Sequence, residues 1–217
     1  MLSLAEENYL KAICHLSRNG LQEVLTNELA DSMRTKAASV TDMIKKLSAK
    51  KLISYKKYYG VNMTSKGKTK ALQIIRKHRL WETFLVNKLG FTWDEVHEVA
   101  EQLEHIQSQS LIEKLDSFLG YPKTDPHGDP IPDRHGNIVL KPQLPLAEKM
   151  AGYKGTIVAV KDADSNLLKY LEKIDALPGK KIQVISRELY DGSMQINISG
   201  KILFVSKEVA RNVLVTE

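Results

Sequence analysis

The order of the secondary-structure elements predicted for the first 65 residues restricts the fold more than any other feature of the sequence. Apolar residues recur at helical spacing over residues 3–18, 26–33 and 36–50, and two runs of strand-forming residues follow at 52–56 and 61–64. Three helices followed by a β-hairpin are the elements of a winged helix-turn-helix. The sequence therefore predicts a DNA-binding head in which the third helix reads the DNA and the hairpin forms the wing.

Charge divides the chain into parts that suit different partners. Residues 1–80 carry 16 Lys and Arg against 6 Asp and Glu, whereas residues 81–140 carry 4 against 11. A basic segment favours a polyanion such as DNA, and an acidic segment favours cations. The charge pattern thus predicts a DNA-binding head followed by a cation-binding body.

The exposed faces of the predicted reader helix and wing supply the candidate DNA contacts. Lysines neutralise phosphates without reading the base sequence, and short polar side chains reach the edges of the bases. The candidates are Lys36, Ser39, Thr41, Asp42, Lys45 and Lys46 in the helix and Lys56, Lys57 and Tyr58 in the wing.

Further elements follow the predicted wing. Helical spacing continues over about residues 65–89, 92–105 and 108–119, and it stops at a segment that holds most of the prolines. Short strand-like runs after residue 150 indicate a small β-barrel. The predicted fold class is therefore α+β, with a winged helix-turn-helix domain (1–65), an all-helical domain (66–122), a Pro/Gly-rich linker (123–146) and a C-terminal small β-barrel (147–217).

The last helix of the all-helical domain carries an apolar stripe that suits either a core or the seam of a dimer. Its candidate seam residues are Leu111, Leu115, Phe118 and Leu119.

The acidic part of the chain carries histidines and carboxylates at spacings that place them on common helix faces. They are His78 and Glu82 on one predicted helix and His97, Glu101, Glu104 and His105 on the next. Mixed nitrogen and oxygen donors suit divalent ions such as Mn²⁺, Fe²⁺, Co²⁺, Ni²⁺ and Zn²⁺, and the absence of a thiolate from the cluster disfavours the softest ions. The all-helical domain is therefore predicted to bind a metal.

Six short segments in residues 3–133 carry a more specific pattern. They are Glu7-Asn8-Tyr9-Leu10, Thr64-Ser65-Lys66-Gly67, Arg76-Lys77-His78-Arg79-Leu80-Trp81-Glu82, Val96-His97, Glu101-Gln102-Leu103-Glu104-His105 and Gly128-Asp129-Pro130-Ile131-Pro132. In identity and order they resemble the iron- and manganese-dependent repressors related to the diphtheria toxin repressor (DtxR/MntR-like). Residues 147–217 are similar to the FeoA-like barrel of the longer members.

The resemblance implies a transcription repressor that binds operator DNA as a homodimer, with Mn²⁺ or Fe²⁺ as co-repressor, and controls metal-uptake genes. It implies two metal sites. The first would use His78, Glu82 and His97, with Asp162, Asp164 and Asn166 as candidates to complete it from the C-terminal domain. The second, which would activate DNA binding by fixing the first helix to the helical domain, would use Glu101, Glu104 and His105 together with Asn8.

Several residues bear on how far the family pattern carries over. Glu101 is the residue of manganese-type members and favours Mn²⁺. Asn8 stands where members carry Met or Asp, and Lys11 stands where short manganese-type members carry a second acidic ligand, which favours two separated sites. In the reader helix the resemblance adds base contacts at Ala38 and Asp42, and Asp42 replaces the Gln of iron-type members.

Two other functions fit parts of the sequence. A winged-helix regulator could respond to a non-metal ligand, and a helical dimetal oxidase could use carboxylates and histidines, although its Glu-x-x-His spacing differs from that of Glu101, Glu104 and His105. No nucleophile elbow, phosphate loop or dinucleotide fingerprint is found, so no enzyme is predicted. The chain lacks a long uncharged apolar stretch and an evident signal peptide, and it has a single cysteine, so we expect a cytoplasmic protein without a membrane partner.

Overall fold

The computed structural model describes residues 2–56, 59–139, 142–161 and 164–216. The α+β fold class is confirmed. The chain divides into two units, each described by itself below. The first consists of Met1–His78, Glu101–Glu113 and Ile131–Ile138, and the second of Arg79–Ala100, Lys114–Pro130 and Val139–Glu217.

The first unit contains the predicted winged helix-turn-helix. Its elements are α1 (Leu4–Leu16), α2 (Thr26–Ser32), α3 (Ala37–Ala49), and an antiparallel hairpin of β1 (Ile53–Lys56) and β2 (Gly60–Met63). Ser3 starts α1 with a capping box, because its hydroxyl accepts the N–H of Glu6 and the Glu6 carboxylate accepts the N–H of Ser3. Leu10, Ile13 and Ile44 are buried in the shared core, so α1 supports the reader helix α3.

Three further helices carry the candidate metal ligands. They are α4 (Ser65–Leu89), α5 (Val96–Leu103) and α6 (Gln109–Phe118). Helix α5 is shorter at both ends than the predicted 92–105. At its start, residues 93–95 form a turn before the helix, and the Asp94 carboxylate there accepts a hydrogen bond from Ser165 and pairs with Lys169. At its end, Glu104 and His105 lie in a turn just past the helix.

The C-terminal part of the second unit is a six-stranded antiparallel sheet with two helices. Its elements are β3 (Gln143–Pro145), β4 (Lys154–Val160), α7 (Ser165–Lys173), β5 (Lys181–Arg187), β6 (Met194–Ile198), β7 (Lys201–Val205), α8 (Lys207–Asn212) and β8 (Val213–Thr216). The strand order is β3-β8-β4-β5-β6-β7. Among the described strands, β3 and β7 form the two edges and do not pair. The predicted barrel is therefore wrong in one respect, because the sheet is not closed: β3 has only three residues and ends at a proline.

The loop that contains His127 and Gly128 hydrogen bonds to strand β4. The N–H of Val160 donates to the carbonyl of His127 over 3.0 Å. The next residue, Gly128, has a φ of +90°, and a Cβ there would lie 1.9 Å from the carbonyl oxygen of Val158. The glycine therefore allows both the left-handed conformation and the close approach of the loop to the strand.

A second glycine separates these two effects. Gly136 has a similar φ of +83°, but a Cβ there would meet nothing closer than 3.7 Å. We expect Gly136→Ala to lower the free energy of unfolding by about 1–2 kcal/mol, the usual cost of a left-handed residue. Gly128→Ala adds overpacking and should cost about 2–5 kcal/mol in total. Urea denaturation of the two variants measures the difference, and equal losses would contradict the packing argument.

Candidate metal centres

The second unit places a buried carboxylate of α4 beside a histidine of α5. Glu82 is only 2% exposed, and its Oε1 lies 3.3 Å from Nδ1 of the half-exposed His97. Both residues were predicted as ligands of one site. The third predicted ligand, His78, precedes Glu82 by one turn of α4. Its Nδ1 lies 2.7 Å from a Glu104 oxygen. The carboxylate therefore orients the imidazole ring, and Nε2 is the ring nitrogen that could coordinate a metal.

Two residues of the loop that follows α6 join Glu82. Asp125 and His127 are both buried, and ligand atoms of Glu82, Asp125 and His127 all lie within 4.8 Å of one another. Nε2 of His127 lies 2.7 Å from the carbonyl oxygen of Trp93. A carbonyl only accepts, so Nε2 carries the proton and the lone pair of neutral His127 is at Nδ1, which is 3.7 Å from Glu82 Oε2.

Electrostatics make this group receptive to a cation. Burial, together with the charges of Glu82 and Asp129, raises the pKa of Asp125 to about 7. Burial alone would lower the pKa of His127, but its interaction with Glu82 raises it above the ordinary value. Without a metal, the Asp125 carboxyl therefore retains a proton on part of the molecules at neutral pH. Two oxygen donors and one nitrogen donor with two negative charges fit a divalent ion of the Mn²⁺ to Zn²⁺ series.

A repeat of the same loop shows what burial contributes. In Asp125-Pro-His127-Gly-Asp129, Oδ1 of the first Asp accepts the N–H groups of His127 and Asp129 over 2.9 Å each. In Asp133-Arg-His135-Gly-Asn137, Asp133 accepts the N–H groups of His135 and Asn137 over 2.8 Å each. Asp133 is exposed, and hydrogen bonds from Asn137 lower its pKa to about 2. The same backbone thus gives opposite pKa shifts, because only the first loop is buried beside a second carboxylate.

Asp125 and His127 were missed in the sequence because the segment was interpreted only as a linker. The signal that could have revealed them is the repeated Asp-x-His-Gly-[Asp/Asn] pattern at 125–129 and 133–137. Their partner Glu82 lies more than 40 positions away, and no sequence spacing connects it to the loop.

The residues predicted for the second site lie in the first unit, where charged side chains of α1 meet them. Glu104 is 0% exposed, and both of its oxygens are 2.8 Å from Nζ of Lys11. The same Nζ is 3.3 Å from Oε1 of Glu101. Nδ1 of His105 is 2.6 Å from a Glu7 oxygen. Asn8, the residue predicted to reach this cluster from α1, is exposed, and Glu7 contacts His105 in its place.

Ion pairing keeps Glu104 charged despite its burial. Burial alone would raise the pKa of Glu104, but the hydrogen bond with His78 and the positive charge of Lys11 lower it.

The residues predicted to complete the first site from the C-terminal domain are placed as follows. Asp164 caps α7, since its Oδ1 accepts the N–H groups of Asn166 over 2.9 Å and Leu167 over 3.1 Å. Asn166 is exposed at the start of that helix. Asp162 lies outside the described residues. The contacts of Ser165 and Lys169 with Asp94 hold α7 close to the start of α5.

Most of the predicted DNA contacts lie on the exposed surface of α3 and the wing. Lys36, Ala38, Ser39, Asp42, Lys45, Lys46 and Lys56 are exposed, and Thr41 is partly exposed. The Thr41 hydroxyl donates to the Ala37 carbonyl, and Asp42 pairs with Lys45 at 3.4 Å. In the wing, Nζ of Lys56 lies 4.1 Å from the centre of the Tyr59 ring. Lys57 and Tyr58 lie outside the described residues.

The predicted dimer stripe on α6 is partly exposed. Phe118 is 64% exposed and Leu111 39%, whereas Leu115 is buried at 7%. Leu119 is partly buried. The Phe118 ring packs against Phe84 with centroids 6.1 Å apart. Across the described residues, none of the helices has the length and apolarity needed to cross a membrane.

Three family models match consecutive parts of the chain. Residues 1–61 match the N-terminal DNA binding domain of the iron dependent repressors. Residues 64–133 match the metal binding and dimerisation domain of the same family. Residues 144–217 match the FeoA domain.

Individual relatives match most of the chain or nearly all of it. A manganese-dependent transcriptional repressor, solved in complex with manganese, is 34% identical with a TM-score of 0.88 and covers 98% of this chain and 99% of its own. The repressor ScaR with bound Cd²⁺ is 33% identical with a TM-score of 0.80, at 98% and 99% coverage. The iron-dependent repressor IdeR of Mycobacterium tuberculosis (strain ATCC 25618 / H37Rv) is 26% identical over 190 residues, which are 82% of each chain.

The raised pKa of Asp125 predicts how pH acts on the metal-free protein. A carboxyl whose folded pKa is about 7 contributes stability that is complete below its unfolded pKa of about 4 and is lost as pH rises through about 7. The free energy of unfolding of the metal-free wild type, measured in urea, should therefore fall between about pH 5 and pH 8 relative to that of Asp125→Asn, in which residue 125 does not titrate. Adding Mn²⁺ should reverse this trend and release protons. Parallel stability curves for the two chains would contradict the prediction.

Proposed function

The chain belongs to the iron-dependent repressor family, and we propose that it is a repressor activated by Mn²⁺ or Fe²⁺ bound at Glu82, Asp125 and His127. The family consists of metal-dependent repressors that bind operator DNA, so the alternatives of a helical dimetal oxidase and of a regulator with a non-metal ligand are wrong. The single observation that carries the proposal is the buried group of two carboxylates and one imidazole.

The donor set and the relatives support manganese or iron. Carboxylate oxygens with imidazole nitrogen suit Mn²⁺ and Fe²⁺, and no thiolate from Cys14 is available because that side chain is buried in the core of the first unit. The names of the relatives refer to manganese, iron and cadmium. We assign His97 and His78 as further ligands, His97 from its contact with Glu82 and His78 from its place one turn before Glu82.

When bound, the ion supplies the positive charge that the buried carboxylates of Glu82 and Asp125 need in place of water. Arg79 partly performs this task, with Nε 3.4 Å from Asp125 Oδ2 and a hydrogen bond to Asp129. The protein positions three separate elements for the ion. They are α4 through Glu82, α5 through His97, and the loop that hydrogen bonds to β4 through His127. Metal binding therefore favours the conformation in which these elements are assembled, by its differential affinity for that state.

The DNA-binding head acts on operator DNA through α3 and the wing. Exposed lysines of α3 neutralise phosphates, and Ala38, Ser39 and Asp42 face outward where bases can be read. We propose that the exposed Phe118 and Leu111 of α6 contribute to a homodimer seam. The regulated genes are proposed to be those of metal uptake, and the protein is proposed to act in the cytoplasm, where its operator lies.

Neutralising one ligand should reduce the response to metal. Asp125→Asn keeps an oxygen that accepts the two loop N–H groups but removes the charge, and Asp133→Asn makes the same change in the exposed loop. With an operator selected from random DNA by the wild type in Mn²⁺, Asp125→Asn should need at least about tenfold more Mn²⁺ for half-maximal binding. Asp133→Asn should match the wild type in the same fluorescence-anisotropy titration. An equal Mn²⁺ requirement of the two variants would contradict the assignment of the site.

The lysines of α3 should act through charge. Removing Lys45 or Lys46 with alanine should weaken operator binding and reduce the slope of log affinity against log salt by about 1 for each lysine. Lys173→Ala, which removes an exposed lysine of α7, serves as the control and should leave the slope unchanged. Salt titrations of operator binding at saturating Mn²⁺ measure these slopes, and an unaltered slope in both α3 variants would argue against phosphate contacts there.

A further inference from the structure

We propose that the ammonium group of Lys11 takes the place of a second divalent ion in this chain. Three carboxylate oxygens surround Nζ of Lys11, the two of Glu104 at 2.8 Å and one of Glu101 at 3.3 Å. An ammonium has three donors, so each oxygen can receive one hydrogen bond. Glu101 and Glu104 are the carboxylates predicted to bind the activating metal. As the chain stands, they do not fit that ion.

The charges on α1 are arranged for ion pairs and not for metal binding. Glu7 and Lys11 are one turn apart and both face the segment after α5. Glu7 contacts His105 Nδ1 at 2.6 Å, and Lys11 contacts Glu104. A divalent ion needs several free acceptor atoms around it, whereas the ammonium of Lys11 already engages both oxygens of Glu104 and one of Glu101. Asn8, the neutral candidate ligand on α1, is exposed and lies outside these pairs.

Burial makes the lysine difficult to replace in the wild type. The Glu104 side chain is 0% exposed and that of Lys11 is 21% exposed. A divalent ion that entered would have to displace the ammonium from three oxygens or bind beside a like charge in a poorly solvated place, and both are unfavourable. Gln107 adds a hydrogen bond between α1 and the segment after α5, since its amide donates to Glu7 as well as to the carbonyl of His105.

The consequence is a link between α1 and the end of α5, through Glu101 and Glu104, that needs no metal. Since α1 shares its core with the reader helix α3, Lys11 acts as a positioning residue for the DNA-binding head whether or not metal is present. The metal response would then depend on ligands elsewhere in the chain. This inference concerns Lys11 and its carboxylates, and it does not depend on which ion binds at Glu82.

Counting bound Mn²⁺ tests the inference. By equilibrium dialysis of the full chain with metal analysis, Lys11→Met should bind one more Mn²⁺ per chain than the wild type, because the uncovered oxygens of Glu101 and Glu104 and Nε2 of His105 then form a site. Lys11→Arg keeps the charge and should bind the wild-type number. The double variant Lys11→Met with Glu104→Gln should lose the extra ion.

Equal counts for Lys11→Met and the wild type would overturn the proposal, as would an extra ion that survives Glu104→Gln. If Lys11→Met does not fold without metal, Lys11→Gln takes its place, since its amide donates to Glu104 without charge, and the same gain of one ion is expected. Repeating the comparison in a Glu82→Gln background removes an ion at that residue from both chains. The difference between them should persist, so failure of the proposed function and failure of this inference remain distinguishable.

Discussion

Two carboxylates removed from water determine how the helical part of this protein is organised. Glu82 is 2% exposed and Glu104 is 0% exposed. Burying a carboxylate costs several kcal/mol unless opposite charge and hydrogen bonds compensate it. Glu104 finds its compensation within the chain, in Lys11 and His78. Glu82 lies instead beside a second carboxylate, Asp125, and two histidines, the group at which we propose that a divalent cation binds. Glu104 is thus compensated by a cation of the chain itself, whereas we propose that Glu82 is compensated by a bound metal ion.

The proposed metal site at Glu82, Asp125 and His127 depends on backbone geometry as much as on these side chains. Asp125 holds its loop with one oxygen and presents the other to Arg79, and the carbonyl of Trp93 fixes the tautomer of His127. The loop hydrogen bonds to β4, so the C-terminal sheet supports the position of a ligand without itself supplying one among the described contacts. Within the proposed site, the FeoA-like part would therefore act by positioning His127.

Much of the fold could be predicted because local signals were strong. The apolar periodicity of α1 and α3 and the hairpin after Leu52 identified the winged helix, and α4 was predicted with its observed bounds. Weak local signals failed. The three-residue β3 and the adjacent α8 and β8 went unrecognised, and α5 begins at Val96, after a turn at residues 93–95, and not at residue 92 as predicted. An open sheet and a closed barrel have the same strand pattern, so only the pairing of the edges distinguishes them.

The sequence by itself determined the class of protein. It also predicted the DNA-binding face and the candidate ligands that share a helix, such as His78 and Glu82, because helical spacing is a local property. Only the tertiary structure decided which carboxylates lie together. It placed Asp125 and His127 beside Glu82, it replaced Asn8 with Glu7 as the partner of His105, and it set Lys11 between Glu101 and Glu104. These choices rest on burial and on contacts between residues distant in the chain. Burial also decides the pKa of the first aspartate in the two loops of the same backbone pattern. That pKa is about 7 for the buried Asp125 and about 2 for the exposed Asp133.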